Sequence, residues 1–110
     1  MSSVATAVPV WQPIHEHLRI DGKDVRTDDT INVLNPYNGI VVGTVACATT
    51  AHIEHAFEVA AAFTPRLSRF ERQKILFAAA DRLHADRVRL AAIITAESGL
   101  CHKDALYEVG

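Results

Sequence analysis

The sequence predicts an α+β fold in which two N-terminal β-hairpins are followed by three to four α-helices. Two observations support this prediction. Short runs of β-branched residues separated by turn signals occupy positions 18–47, and apolar residues recur at helical spacing from Ile53 onward. The 110 residues provide enough chain for one ordinary hydrophobic core.

Two turn signals define the predicted hairpins. The first hairpin extends over Leu18–Val25 around Asp21-Gly22, a dipeptide that tolerates the positive φ angles of a tight turn. The second extends over Ile31–Ala46 around the polar turn Asn35–Gly39. Gly43 interrupts the β-branched run of the second hairpin and predicts a bulge or a bend there.

Capping signals place the helices. Thr49 is a suitable N-cap for a first helix that ends near Phe63, and Ser68 with Glu71 predicts a capping box for a second. The third helix follows Asp86, whose carboxylate suits a first turn, and ends at Ser98-Gly99. A fourth helical pattern, at 103–109, is too short to be stable in water without packing, which suggests an element whose remainder is missing.

The second and third helices differ in their apolar surfaces. Leu76, Ala80 and Leu83 lie on one face of the second helix with Phe77 beside them, so we expect that face to pack and the other to be solvated. The third helix contains the block Leu90–Ile94, which is apolar on nearly every face and requires neighbours on several sides.

Composition excludes several classes of partner. The formal net charge is -2, with basic and acidic residues intermixed, so no nucleic-acid partner is predicted. The longest apolar run, Ile75–Ala80, is far shorter than the roughly 20 residues that cross a bilayer, so no membrane partner is predicted.

Met1–Ile14 contains no charge and therefore lacks the basic start of a signal peptide, which predicts a cytoplasmic chain. Cys47 and Cys101 are predicted to be buried free thiols.

No constellation of residues predicts an active site. The glycines lie at turns, a bulge or a cap, so no dinucleotide or triphosphate loop is present. Two histidine pairs, His52 with His55 and His15 with His17, could each offer two metal ligands, but solvated side chains are the better interpretation.

Three further candidates were weighed as catalytic groups. Cys101 with His102 could suggest a nucleophile and its base, but adjacent helical side chains diverge by about 100°. Glu97 and Glu108 are lone carboxylates without a visible acid–base partner. The sequence therefore predicts no catalytic, cofactor-binding or metal-binding residue in this chain.

Five short phrases in order resemble the amino-terminal segment of the NAD(P)-dependent aldehyde dehydrogenase superfamily. They are the hairpin Leu18–Lys23, the turn phrase Ile31–Gly39, the strand Val41–Val45 with Ala48-Thr49 after it, the phrase Arg72–Leu76, and Glu97–Gly99. In that family they correspond to an IDGKW hairpin, an NPATGE turn, a GTVPxAT strand, an RxxIL phrase and an ExxGK helix end. The fold implied is the N-terminal part of the α/β cofactor-binding domain.

Within the family, two stretches look most like phosphonoacetaldehyde dehydrogenases, which oxidise phosphonoacetaldehyde to phosphonoacetate. They are Arg66–Arg72 and Ala96–Gly110. The sequence departs from the wider family at Cys101 and His102, where Lys and Pro are common, and at Tyr37-Asn38, which replaces Ala-Thr.

The resemblance implies an oxidoreductase that uses NAD(P) in its full-length form. The family's nucleophilic cysteine, general-base glutamate, oxyanion asparagine and cofactor-holding turn all match positions beyond Gly110, so the chain alone is expected to bind no cofactor and to be inactive. Residues 1–17 are expected to form an extended arm and 18–110 an incomplete N-terminal part of the cofactor-binding domain. The implied partners are the remainder of that fold and a homo-oligomer. The alternative is a small non-catalytic binding module that uses an apolar helical face.

Overall fold

Strands occupy the first half of the described chain and helices the second. A computed structural model describes residues 11–110. The strands are β1 (Ile14–Glu16), β2 (Leu18–Ile20), β3 (Lys23–Val25), β4 (Thr30–Leu34) and β5 (Val41–Ala46). The helices are α1 (Thr50–Ala62), α2 (Arg69–Ala85), α3 (Arg87–Ser98) and α4 (His102–Val109). This order confirms the predicted α+β class, with two hairpins followed by four helices.

The first predicted hairpin is present as the antiparallel pair β2–β3, in which Leu18 lies opposite Val25. Asp21 and Gly22 at its turn both have positive φ, 55° and 69°. A two-residue turn with two positive φ angles matches the right-handed twist of the flanking strands, and Asp-Gly adopts it at low cost. The local sequence therefore fixes this ribbon.

The second predicted hairpin is the antiparallel pair β4–β5. Asn35 organises its turn: its side-chain Oδ1 accepts from the Tyr37 N–H at 2.9 Å, and its carbonyl accepts from the Gly39 N–H at 2.8 Å. Gly39 has a φ of 71°, which explains why glycine closes the turn.

Strand β1 was not predicted. It pairs in parallel with β5, giving a three-stranded sheet in the order β1-β5-β4. Gly43 permits this pairing, because a Cβ atom there would lie 2.3 Å from the Ile14 carbonyl oxygen. The predicted bulge is also present beside Gly43, since Val33 pairs with Gly43 but Leu34 pairs with Val41.

The predicted caps of the first two helices are confirmed. The Thr49 side chain accepts from the His52 N–H, and the Ser68 Oγ accepts from the Glu71 N–H at 3.2 Å. The Glu71 carboxylate in turn accepts from the Ser68 N–H at 2.7 Å, which completes the capping box. Gly99 ends α3 in the left-handed region, with a φ of 76°. Asp86 is the exception, because its carboxylate caps no backbone N–H.

The buried core is small. Among the described residues, its fully or nearly buried apolar members are Ile20, Val42, Ala91, Ala96 and Ala105. Helices α3 and α4 pack together, which accounts for the complete burial of an alanine on each. The radius of gyration is 18.7 Å, against about 13 Å for a compact domain of this length. The described chain is therefore much more open than an ordinary single domain.

Helix α2 does not pack as predicted. Every one of its residues is exposed, including Leu76 at 69% and Phe77 at 62%. The apolar pattern correctly marks residues that favour burial, but no part of residues 11–110 covers them. Helix α3 is only partly enclosed, since α4 covers one side while Val88 remains 63% exposed.

The described helices are too short or too polar to be membrane spans. Within residues 11–110, none combines the length and the apolar character that crossing a bilayer requires.

Candidate functional site

A cleft lies between α3 and the three-stranded sheet. Its volume is about 280 Å³. The sheet side is lined by Trp11, Ile14, Glu16, Val33 and 42–45, and the helix side by Arg89, Leu90, Ile93 and Glu97. Most of these side chains are apolar, so the cleft has an apolar lining that includes a few charged groups.

Trp11 anchors the sheet side of this cleft. Its indole Nε1–H donates a hydrogen bond to the Val42 carbonyl at 2.8 Å. Val42 has no pairing partner on β4, because the bulge shifts the register from Gly43 to Val41. The indole therefore donates to a backbone carbonyl at the point where the β4–β5 ladder is interrupted. Nearby, the His15 Nδ1 lies 2.7 Å from the Thr44 Oγ1.

Arg89 is the main charged group on the helix side. Its Nε lies 2.9 Å from Asp86 Oδ2 and 3.1 Å from Oδ1, and its Nη2 also donates to Oδ2. This bidentate hydrogen bonding holds the pKa of Asp86 below its ordinary value and raises the pKa of Arg89. The negative charge of Glu16 across the cleft adds to the increase in the pKa of Arg89. Arg89 is therefore already committed to a partner within the chain.

The histidine pairs do not form a metal centre in the described chain. His52 belongs to the capping box of α1, where its Nδ1 accepts from the Thr49 N–H at 3.1 Å. The His55 Nδ1 lies 3.8 Å from the Glu58 Oε2, and the His15 Nδ1 contacts the Thr44 Oγ1. Across residues 11–110, no group of three or more His, Cys, Asp or Glu side chains is placed to hold a metal ion.

The two thiols were predicted to be buried, and this is wrong for Cys101. Cys101 is exposed at the N-cap of α4, whereas Cys47 is half-buried after β5. Burial was inferred from residue type, but a cap position lies at a helix end that the neighbouring elements leave uncovered. His102, the next residue, begins α4 and is also exposed.

The lone carboxylates lie apart. Glu97 borders the cleft near the end of α3, and Glu108 is exposed on α4. Neither carboxylate takes part in an ion pair or a side-chain hydrogen bond within residues 11–110. The structure brings together no nucleophile, base and orienting group from the candidates that the sequence offered.

A second notable feature is the apolar surface formed by α1, α2 and the loop between them, here called the α1–α2 surface. Its most exposed large side chains are Phe57, Phe63, Phe70, Leu76 and Phe77. Lys74 lies over the Phe70 ring, with its Nζ 5.4 Å from the ring centroid. So many exposed aromatic and aliphatic side chains are typical of a surface that another protein segment covers.

The cleft could not be predicted from the sequence because it depends on the parallel pairing of β1 with β5. That contact joins residues 29 positions apart, and β1 has only three residues. The available signal was Gly43, which was interpreted as a bulge or bend. A glycine within a β-branched run also marks the close approach of another backbone segment.

Comparison with known proteins identifies the family. The model of the aldehyde dehydrogenase family matches residues 24–110. The chain therefore belongs to the aldehyde dehydrogenase family, as the resemblance implied. No curated protein matches the sequence.

Two solved structures superimpose well on this chain. The NAD-dependent aldehyde dehydrogenase from Sinorhizobium meliloti is 31% identical, covers 91% of this chain and has a TM-score of 0.85. Aldehyde dehydrogenase 21 from Physcomitrella patens, solved in complex with the reaction product succinate, is 29% identical, covers 89% and has a TM-score of 0.83. This chain spans only 22% and 21% of those two proteins, about a fifth of each. Its fold is thus the N-terminal part of the aldehyde dehydrogenase fold.

Proposed function

We propose that this chain is the opening segment of an aldehyde dehydrogenase that oxidises an aldehyde to the carboxylic acid with NAD(P). The family match over 87 of the 110 residues is the observation that carries this proposal. The superposition on an enzyme named as NAD-dependent and on one bound to its carboxylate product supports the same reaction class.

In our proposal, the dinucleotide is held by residues other than those that the structure describes. A dinucleotide site requires a glycine-rich turn between a strand and a helix, where the backbone approaches the pyrophosphate. The one connection from a strand to a helix in the described residues is Cys47–Thr49, which has no glycine, and the Thr49 side chain is occupied in capping α1. In our proposal these 110 residues therefore supply neither the cofactor site nor the catalytic groups.

The contribution of the chain is structural. Its α1–α2 surface presents aromatic and aliphatic side chains that no other described element covers. We propose that the remainder of the aldehyde dehydrogenase fold packs on this surface and that residues 18–110 form the N-terminal part of its cofactor-binding domain. A homo-oligomer of that larger protein is part of the proposal, and so is a cytoplasmic location.

The proposed substrate is phosphonoacetaldehyde. The support is the resemblance of Arg66–Arg72 and of Ala96–Gly110 to enzymes that oxidise this aldehyde. Three arginines in the first stretch, Arg66, Arg69 and Arg72, give it a local positive charge.

The first test is to sequence the encoding DNA and transcript past the codon for Gly110. A frame that continues into a glycine-rich cofactor turn and a cysteine nucleophile is the expected result. The longer protein would then be assayed for NAD(P)H formation with phosphonoacetaldehyde and, as a matched control, with acetaldehyde. Equal activity on both aldehydes would contradict the proposed substrate and leave the reaction class intact.

A stop codon directly after Gly110 would contradict the proposal of an enzyme made from one longer chain. The exposed α1–α2 surface would then favour the second candidate, a non-catalytic binding module. Capture of one defined partner by the purified chain, lost on changing Leu76 to Glu, would support that module. Nonspecific aggregation would count against it.

A further inference from the structure

We propose that residues Trp11–Glu16 form a conformational device, the N-terminal strap, which docks on β5 as one wall of the cleft and can detach from β5 while the other described elements stay folded. This inference concerns the chain's own conformational equilibrium. It does not depend on the reaction proposed above.

The strap is held by a small set of contacts along one side of β5. Strand β1 contributes three residues to a parallel ladder with 43–45. The Trp11 indole donates to the Val42 carbonyl, and the His15 Nδ1 contacts the Thr44 Oγ1. Trp11 and Ile14 are half-buried and the other four residues are exposed, so docking leaves no side chain of the strap fully buried. Segments with few buried apolar contacts are the ones that open locally at the lowest free-energy cost.

The topology allows the strap to leave alone. A single residue, His17, separates β1 from β2, which belongs to a different sheet. On its other side β5 pairs with β4, and that hairpin is fixed by its own turn at Asn35. Undocking the strap therefore breaks the β1–β5 ladder and leaves the β4–β5 ladder and the α3–α4 pair in place.

The position of the cleft gives this motion a consequence. Trp11, Ile14 and Glu16 form the outer wall, while Leu90 and Ile93 of α3 face them. When the strap is docked these two α3 side chains are half-buried at the border of an open cleft, and when it leaves they become more exposed. Docking of the strap thus controls access to one side of α3.

Gly43 is the point at which this equilibrium can be controlled. A Cβ at position 43 would lie 2.3 Å from the Ile14 carbonyl oxygen, and that backbone atom cannot retreat without leaving the ladder. Changing Gly43 to Val therefore opposes docking directly. A change of Ala46 to Val adds bulk to the same strand beyond the three positions that pair with β1, so it serves as the matched control.

The experiment is peptide-resolved amide hydrogen exchange of the 110-residue chain, combined with emission from Trp11, its one tryptophan. In the unmodified chain we expect the strap to exchange faster than β4, α3 and α4. Gly43→Val should abolish protection of the strap alone and shift the Trp11 emission to longer wavelength. Ala46→Val should leave both signals unchanged.

Two results would overturn the proposal. One is unchanged strap protection in Gly43→Val, which would show that docking does not depend on the close approach. The other is loss of protection in β4, α3 and α4 together with the strap, which would make the strap an integral part of the fold. If Gly43→Val does not fold, Trp11→Phe decides, because it removes the indole hydrogen bond to Val42 and part of the ring's contact area while keeping an aromatic side chain. Faster exchange confined to the strap supports the proposal, and any other pattern contradicts it.

Discussion

At a few positions of this chain the backbone geometry or a close neighbour restricts which residue type can be accommodated. Gly99 is the clearest case, because it ends α3 with a φ of 76° and a Cβ there would lie 3.0 Å from the Pro36 ring. The turn of the β4–β5 hairpin thus touches the junction between α3 and α4. One glycine both ends a helix and lets the sheet approach it.

Changing Gly99 to Ala is expected to destabilise the chain by roughly 1–2 kcal/mol, because an L side chain is strained at positive φ. The contact with Pro36 should add to this cost. Gly39→Ala is the control, since Gly39 has a similar φ of 71° but open space around its Cβ. Urea unfolding of both variants measures the difference. A loss for Gly39→Ala as large as that for Gly99→Ala would show that the Pro36 contact contributes nothing.

Glu71 gives a pH dependence that can be predicted in sign. The Ser68 N–H and hydroxyl both bind its carboxylate, and these hydrogen bonds lower its pKa below the ordinary value of 4.5. A carboxyl group with a lowered pKa in the folded state stabilises that state fully above its unfolded pKa and loses the effect as the pH falls through the lowered value. Helix α2 should therefore weaken as the pH falls below 4.5.

This pH dependence is measured by the helical circular dichroism of the chain from neutral to acid pH. Glu71→Gln keeps the shape of the side chain and removes its titration, so the variant should lose the Glu71 part of the transition. Asp86 also has a lowered pKa, through its hydrogen bonds with Arg89, and contributes over the lower part of the same range. An identical acid transition in the parent chain and in Glu71→Gln would contradict the assignment.

The secondary-structure elements were largely predictable because their signals are local. Asp21-Gly22 marks the first hairpin, and Ser68 with Glu71 marks the start of α2, each within four residues of sequence. Strand β1 was not predictable, since its three residues have no alternation long enough to detect and its partner lies in β5. The failed prediction for α2 has a related cause. The helical spacing of Leu76 and Leu83 predicts an apolar face that favours burial. The sequence of the helix does not show which other part of a protein would cover that face.

The capping box of α2 is expected to control whether that helix forms. Ser68→Ala removes the hydroxyl that accepts from the Glu71 N–H, at a typical cost of about 1 kcal/mol. Because α2 has no buried residue, little packing compensates for the loss. Faster amide exchange in the first turn of α2 is the expected readout, with Ser68→Thr as the control that keeps a capping hydroxyl. Equal exchange in both variants would argue against the role of the cap.

At the scale of the whole molecule, the extended shape and the uncovered α1–α2 surface are both consistent with a segment of a larger fold. The chain superimposes on aldehyde dehydrogenases over about nine-tenths of its own length but only a fifth of theirs. In those structures a fold of this size belongs to a much larger protein. The cleft between α3 and the sheet could not be predicted because it depends on the long-range pairing of β1 with β5, and residues 11–110 bring no catalytic constellation into it.

The isolated chain is therefore expected to self-associate through its α1–α2 surface. Exposed apolar side chains of this number drive association because burial against a second copy removes them from water. Leu76→Glu places a charge within the surface and should shift the chain toward monomer in sedimentation velocity. Ala78→Glu adds the same charge to the same helix on the face that carries Lys74 and Arg82, so it should leave association unchanged. If both variants shift the distribution equally, net charge explains the effect. If neither does, the α1–α2 surface is not the contact.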